Sequence, residues 1–578
     1  MTRRSGHGSL TARTPRFAAA LVAAVLVGAC QQSAVSPSPV QGGAASGSPG
    51  TTASPPGPPA CDPAPTPESA RPWWSDEIFY EVFVRSFQDS DDDGIGDLAG
   101  LTNRLDHLND GDPATTDDLG VTALWLMPVA ESPSYHGYDV VDYEAIEGDY
   151  GTADDFRALI AAAHDRGIKV IVDLVMNHTS RDHPWFQDAL APGSAHEDWY
   201  LWAADRPFAR ADGARVWHEA EPGRYYYGYF WEGMPDLNLE NPDVTAALNG
   251  VARFWLEDMG VDGFRLDAAR HLIEAGDRTE NTDATFEWLR GFRERLHTDH
   301  PEALVLGEVW DVTALTSRYV EEGSLDLVFD FGLASSTITS LNSRSGGSLV
   351  TALRDVADAY PPDGLATFLA NHDQNRVASQ LAGDLAAQRL AATLLLTGPG
   401  VPFIYYGEEI GMTGSKPDEQ IRTPMRWDAT SPGAGFTSAT PWEPLSADQA
   451  GTDVATQSGD PESLLSTYRR LTRLRAAHPA LLAGLLVPVE SAEPQVVAFL
   501  RTGGGETVLV AANVGVEPVA SPSLSLAAGP LCGVPAARAL LGPDALTAPS
   551  ITSSGGFVGY VPIPELGPRE AIVIELGP

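Results

Sequence analysis

Three cysteines in 578 residues are too few to staple a chain of this length, so its fold must rest on a buried apolar core. Cationic residues are also scarce. Against 78 Asp and Glu there are only 37 Lys and Arg, a net charge of −41. A surface of that sign excludes nucleic acid as a partner, because phosphate binding needs a basic face. Its main effect is solubility. No internal repeat is visible, which excludes a solenoid. The apolar run from Phe17 to Val27 is too short to span a bilayer comfortably. What the chain does hold is 43% hydrophobic and 20% charged residues, enough for a large core spread over more than one domain.

The short apolar run has a different use. Arg3, Arg4, Arg13 and Arg16 precede it, the pattern of a signal-peptide core, and residues 1–29 are assigned to a leader. The run ends in "VGAC", Val27 to Cys30, which resembles a bacterial lipobox. That resemblance implies cleavage before Cys30, lipid on its thiol, and a protein held at the bacterial cell surface by that anchor alone. Ordinary secretion is the alternative. Residues 30–72 are rich in Ser, Pro, Gly, Ala and Thr and read as a disordered tether. In an exported protein Cys61 and Cys532 can pair, fastening the tether to the C-terminal region. The sequence leaves that pairing open, and nothing in it implies a protein partner.

After Trp73 short apolar runs alternate with amphipathic stretches. Strands are expected at Ile78–Val84, Ala123–Val129, Lys169–Met176, Val261–Asp267, Leu304–Val309, Leu325–Phe331, Ala366–Ala370 and Pro402–Tyr406. Helices are expected at Gly100–Leu108, Ala153–Arg166, Val244–Met259, Thr285–His297, Leu349–Ala359, Leu385–Leu396 and Ser463–Ala477. Strand alternating with helix implies parallel pairing. Eight such strands give an α/β fold, a (β/α)8 TIM barrel, over residues 73–178 and 241–481. Residues 179–240, rich in Trp, Tyr, Pro and Gly, form an inserted domain after the third strand. Residues 482–578 read as a C-terminal all-β sandwich.

Chemistry in such barrels sits at the C-terminal strand ends. The fourth strand ends in "GFRLDAARH". Arg265 and Asp267 are two residues apart, so both point to one face. They form either a structural ion pair or a carboxylate kept ionised by a cation. The third strand ends in "DLVMNH", the fifth in "GEVW", and the seventh runs into "NHDQ". Four strand ends finishing in polar groups are more than one ion pair requires.

These four motifs, in this order, resemble the signature regions of glycoside hydrolase family 13, the α-amylase family. "MPDLNLEN" (Met234 to Asn241) and "GVPFIYYGEE" (Gly400 to Glu409) resemble two further regions. The resemblance implies that Asp267 is a nucleophile, Glu308 a general acid/base and Asp373 a stabiliser of the transition state. Retention of configuration then needs the Asp267 and Glu308 carboxyls about 5–5.5 Å apart. It further implies Tyr138 stacked on the first sugar, with His178 and His372 bonded to it. Arg265 would hold Asp267 charged. Arg270 and His271 match a lysine–histidine pair that contacts the aglycone. The loop "DSDDDGIGD" (Asp89 to Asp97) lacks the closing Glu of an EF-hand. It resembles instead the Ca2+ loop of oligo-1,6-glucosidase-like members, with Asp89, Asp91, Asp93, Asp97 and the Ile95 carbonyl as ligands. Asn177 matches a ligand of a second Ca2+ site whose inserted-domain partners are not legible.

Within the family "MPDLN" is closer to the neopullulanase group, while the loop and "RTPMRWD" resemble the oligo-1,6-glucosidase group. The expected substrate is an α-glucan or maltooligosaccharide, cleaved at internal α-1,4 bonds, because Tyr135 stands where chain-end enzymes carry a gripping aspartate. An exo-acting α-glucosidase or a transglycosylase is the alternative. A non-catalytic glucan-binding lipoprotein is the remote one, disfavoured because all three carboxylates are present.

Overall fold

The structure is a computed structural model and describes residues 71–210 and 212–577. The leader, the proposed lipidation site at Cys30, and Cys61 lie outside the described residues. Cys532 is disulfide-bonded. Among the described residues no helix is long and apolar enough to cross a membrane.

Eight strands close into a parallel barrel: Phe79–Val82 (β1), Ala123–Leu126 (β2), Lys169–Leu174 (β3), Gly263–Leu266 (β4), Leu304–Gly307 (β5), Leu327–Phe329 (β6), Leu365–Thr367 (β7) and Val401–Tyr405 (β8). All eight lie where the apolar runs put them. The side-chain period of two separates the faces. Phe79, Trp125, Ile171, Leu306, Phe329 and Phe403 fill the barrel interior. Tyr80, Leu124, Val172, Phe264 and Val305 face the surrounding helices. The same period carries Glu81, Asp173 and Arg265 to the interior, one step above those apolar residues. Asp173 pairs in register with Arg265 across β3 and β4. Gly263 permits the close contact at the base of β4, where a Cβ would come within 2.4 Å of the Leu304 carbonyl oxygen.

The helices follow from caps and stripes. The Thr152 hydroxyl accepts from the Asp155 amide, and the Asp155 carboxylate accepts from the Thr152 amide, a reciprocal box opening the helix Ala153–Asp165. Phe156, Leu159, Ile160 and Ala163 then recur at helical spacing and are buried. Burying side chains such as Leu159 and Ile160 contributes about 1.5–3 kcal/mol each. Some helices differ from expectation. The helix expected at Gly100–Leu108 is broken into Leu98–Asn103 and Leu105–Leu108. A helix at Phe331–Ser343 was not anticipated; its Ser- and Thr-rich sequence hides the apolar stripe, and Asp330 caps it by accepting from the Leu333 amide.

The inserted domain holds a short helix, Pro184–Ala189, and a three-stranded sheet of Trp202–Ala203, Trp217–Glu221 and Arg224–Tyr227. Tyr226 and Tyr227 are buried in it. The C-terminal region is antiparallel: Leu485–Ser491 (β9), Val496–Gly503 (β10), Glu506–Asn513 (β11), Leu524–Leu526 (β12), Ala536–Leu541 (β13), Phe557–Tyr560 (β14) and Ala571–Gly577 (β15) run in the order β13-β15-β11-β10-β9-β12-β14. Val496, Ala498 and Leu500 face this region's own core. Val497 and Phe499 belong to the core shared with the barrel.

Two buried arginines tie these parts together. The helix Leu385–Thr397 ends with bare carbonyls. Arg475 donates to the Leu396 and Gly398 carbonyls, and Arg501, on β10, to those of Thr397, Gly398 and Gly484. Burial and the neighbouring charges of Arg475 and Arg71 pull the Arg501 pKa well below its usual value. The negative end of the helix dipole is its partner. Arg501→Met should lower the unfolding free energy by about 2–4 kcal/mol, since each carbonyl left without a donor costs about 1–3 kcal/mol. Urea titration should show this with kcat unchanged at 25 °C; a midpoint equal to the wild type would refute the assignment.

Candidate active site

The polar residues that strand alternation sends inward meet above the barrel's apolar layer. Arg265 is fully buried at their centre. Its Nη1 donates to Asp173 Oδ1 and, at 2.9 Å, to Asp267 Oδ1. Its Nη2 lies 2.9 Å from Glu308 Oε2 but is not aligned to donate to it. One guanidinium therefore spaces the carboxyls at the ends of β4 and β5. Beyond Asp267 the chain turns sharply. Ala268 takes φ +50°, ψ +33°, a left-handed conformation unusual for a residue with a Cβ. The turn aims the Ala268 amide at Glu308 Oε2, 3.2 Å away.

Asp373, beyond β7, has partners of its own. Arg422 Nη2 donates to Asp373 Oδ1 at 2.9 Å, and Arg422 Nε donates to the His372 carbonyl. His372 Nε2 is 3.4 Å from Asp373 Oδ2.

These surroundings separate the carboxyls. Burial pushes Glu308 up to about 7, reinforced by the charges of Asp267 and Asp373 and opposed by Arg265. Burial pushes Asp267 up to about 7 as well, against Arg265. Two neighbouring carboxyls with matched affinities share one proton near neutrality. Arg265 hydrogen-bonds Asp267 and not Glu308, so the proton rests on Glu308. Burial works against Asp373 too, but His372 and Arg422 outweigh it and hold this group at about 2. The mouth thus offers an anion beside a cation, a protonated carboxyl, and a second anion, as nucleophilic catalysis with general acid assistance requires.

Tyr138 stacks on His372, ring centres 5.6 Å apart and planes 17° from parallel. Its hydroxyl is 2.7 Å from His372 Nε2. His178 lies beside the Tyr138 loop. Its Nε2 meets the Tyr138 carbonyl at 3.0 Å and its Nδ1 faces Asn177 Nδ2 at 3.3 Å, so it holds the loop that presents Tyr138. Arg270 Nε donates to His271 Nε2 at 3.0 Å, and its Nη1 donates to the Trp310 carbonyl. His271 stacks on Tyr229 at 4.1 Å.

Several site residues escaped the sequence reading. Arg422 lies in "RTPMRWD", but only folding brings it to Asp373. Trp310, 43% exposed, stacks on Phe331 beside Glu308; its signal is its place in "GEVW". Phe230 is exposed and packs edge-on against His178. Asn177 has its inserted-domain partner in Asp236, a hydrogen-bonded neighbour inside "MPDLN".

In the early loop the Asp89, Asp91 and Asp97 carboxylates lie within 4.8 Å of one another. Asp93 is outside that group and accepts from the Ile95 amide at 2.7 Å. Gly94, at φ +99°, is needed there, because a Cβ would strike the Thr440 carbonyl.

The chain matches the family model "Alpha amylase, catalytic domain" over residues 81–484. It is 39% identical to Alpha-amylase 3 of Dictyoglomus thermophilum, covering 77% of this chain and 85% of that one. It is 34% identical to a probable alpha-glucosidase of Rhizobium meliloti, over 78% of this chain and 91% of the relative. It is 31% identical to probable oligo-1,6-glucosidase 2 of Bacillus subtilis, over 77% and 91%. The crystal structure of an alpha-amylase from H. orenii superposes with a TM-score of 0.72 at 39% identity, covering 87% of this chain and 99% of that one.

The shared proton sets a pH dependence. As pH rises through about 7, Glu308 loses its proton and kcat/KM on an α-glucoside should fall. Glu308→Gln should lose that alkaline limb and about 10²–10⁴-fold in rate. Asp267→Asn should reduce turnover to background with the fold intact. An unchanged alkaline limb in Glu308→Gln would reassign the acid.

Proposed function

Because the chain belongs to the α-amylase catalytic-domain family and is a glycoside hydrolase acting on α-glucosides, we propose that it works by double displacement on short α-glucosides, taken from the chain end. Asp267 attacks the anomeric carbon while Glu308 gives its proton to the glycosidic oxygen. Arg265 holds the nucleophile ionised, and Asp373 faces the positive charge that develops on the sugar. Glu308 then takes the proton of the incoming hydroxyl as the ester to Asp267 breaks. Water yields hydrolysis, and a sugar hydroxyl yields transfer.

One observation carries the chain-end reading. Tyr135 supplies no carboxylate, but Asp418 does from another loop: its Oδ2 is 3.4 Å from Arg422 Nη2, with Lys416 paired to it. Arg422 also binds Asp373, so this ion cluster adjoins the catalytic carboxylates and can grip the hydroxyls of a terminal sugar. Polar groups built for such a grip discriminate strongly. The relatives named for α-glucosidase and oligo-1,6-glucosidase fit this reading better than the internal cleavage expected from Tyr135 alone. Internal cleavage is the second reading. It is favoured by the Tyr135 ring, stacked on Trp442 at 5.2 Å, which extends an aromatic surface past Tyr138, and by the α-amylase relatives.

We further propose Ca2+ in the early loop. Its three clustered carboxylates suit a hard cation, and bound there the ion would pin the loop to the barrel. At the second position Asn177 would be joined by Asp236 and Glu274, whose buried Oδ2 and Oε1 atoms have no hydrogen-bond partner. The leader and "VGAC" support export with a lipid on Cys30.

Maltoheptaose digestion tests the substrate reading. Glucose and maltohexaose are the expected early products, with glucose released as the α-anomer. Maltose, maltotriose and longer fragments at early times would establish the second reading instead, and an initial β-anomer would refute the mechanism. For the cation, Ca2+ should raise the melting temperature, since saturation at 100 times Kd adds about 2.7 kcal/mol. Asp91→Ala should cancel that gain; an equal gain in the variant would place Ca2+ elsewhere.

A further inference from the structure

Glu81 is a buried carboxyl that the catalytic scheme leaves without a task. It sits on β1, across the barrel from Glu308, and is 1% exposed. Strand alternation turns it inward, and its Oε1 lies 2.6 Å from His372 Nδ1. The His372 amide also donates to the same oxygen, at 3.3 Å. From the other ring nitrogen the contacts continue. His372 Nε2 is 2.7 Å from the Tyr138 hydroxyl, and that hydroxyl donates to Asp173 Oδ2 at 3.3 Å. Asp173 receives Arg265, which holds Asp267. A single hydrogen-bonded chain therefore runs from β1, through β7 and the Tyr138 loop, to β3 and the nucleophile on β4.

We propose that Glu81 is a positioning residue that carries a proton, donates it to His372 Nδ1, and so fixes His372 as the tautomer with its hydrogen on Nε2.

Charge counting supports the direction of this chain. Two guanidiniums, Arg265 and Arg422, serve the cluster, and they already face ionised Asp173, Asp267 and Asp373. A fourth buried anion would have no cation of its own, and an unpaired buried charge is costly. Burial accordingly pushes the Glu81 carboxyl well above its usual value, and burial lowers His372 well below its own. A neutral imidazole has one N–H. With Nδ1 accepting from Glu81, that hydrogen must be on Nε2, where it points to the Tyr138 oxygen. The Tyr138 hydroxyl hydrogen is then free to go to Asp173. Every bond runs the same way, from Glu81 to the Asp173 carboxylate, and such aligned bonds reinforce one another. When a sugar displaces the Tyr138 contact, Nε2 meets it as a donor. The opposite arrangement, an ionised Glu81 accepting from Nδ1, would present the sugar with an acceptor instead.

The inference rests on the proposed function for its kinetic arm only. Histidine-selective 15N labelling of the mature chain, with His372→Gln for assignment, reports which ring nitrogen carries the hydrogen. The expected result is Nε2–H in the wild type and in Glu81→Gln, whose amide can donate to Nδ1. Glu81→Leu should lose about 100-fold in kcat/KM, mainly through kcat, the scale of a mispositioned catalytic group. Glu81→Gln should recover most of that loss. Nδ1–H in the wild type would overturn the proposal, as would a glutamine variant as impaired as the leucine variant, or a leucine variant as active as the wild type. The wild-type tautomer decides the matter even if Glu81→Leu does not fold. If the wild type cleaves no α-glucoside, the proposed function fails while the tautomer still tests this inference.

Discussion

A guanidinium with no exposure to solvent has to be surrounded by charge of the opposite sign, and the site of this protein is arranged around that requirement. Arg265 cannot shed its proton. Its burial is tolerable only because the Asp173 and Asp267 carboxylates converge on it from β3 and β4, with the Glu308 carboxyl beside it beyond β5. Each of those two carboxylates is held in place by the same cation that it stabilises. The barrel makes the convergence possible, since in-register parallel strands put inward residues of neighbouring strands at one level. The apolar layer of Trp125, Phe329 and Phe403 beneath keeps water out from below, which strengthens these interactions.

The carboxyls nevertheless have different tasks, and the difference comes from how many cations each can see. Asp267 and Glu308 share one guanidinium, and the unequal alignment of its two nitrogens leaves the proton on Glu308. Asp373 pairs with the Arg422 guanidinium and stays ionised. Arg422 is therefore more than a local support. It joins the chemistry at Asp373 to the Asp418–Lys416 loop, so the group that sets the charge of the site also borders the region where a chain end would be held. A change in that loop would be felt at Asp373 through Arg422.

The sequence by itself determined a good deal. Alternating apolar runs and helical stripes specify the barrel, because period two and period 3.6 are local properties of the chain. The strand-end motifs point to Asp267, Glu308 and Asp373 through their resemblance to the α-amylase family, at the C-terminal strand ends where chemistry in this architecture sits. The helix Phe331–Ser343 was hidden by its Ser and Thr content, which weakens the same local signal. What only the tertiary structure decided are relations between residues tens to hundreds of positions apart. Glu81 meets His372 across 291 residues and Arg422 reaches Asp373 across 49. Asp236 reaches Asn177 from the far end of the inserted domain. His178, matched by motif, meets the Tyr138 carbonyl, a partner that no spacing reveals. Side-chain charge, tautomer and partner depend on distances in space and on burial, and neither is written in the order of residues along the chain.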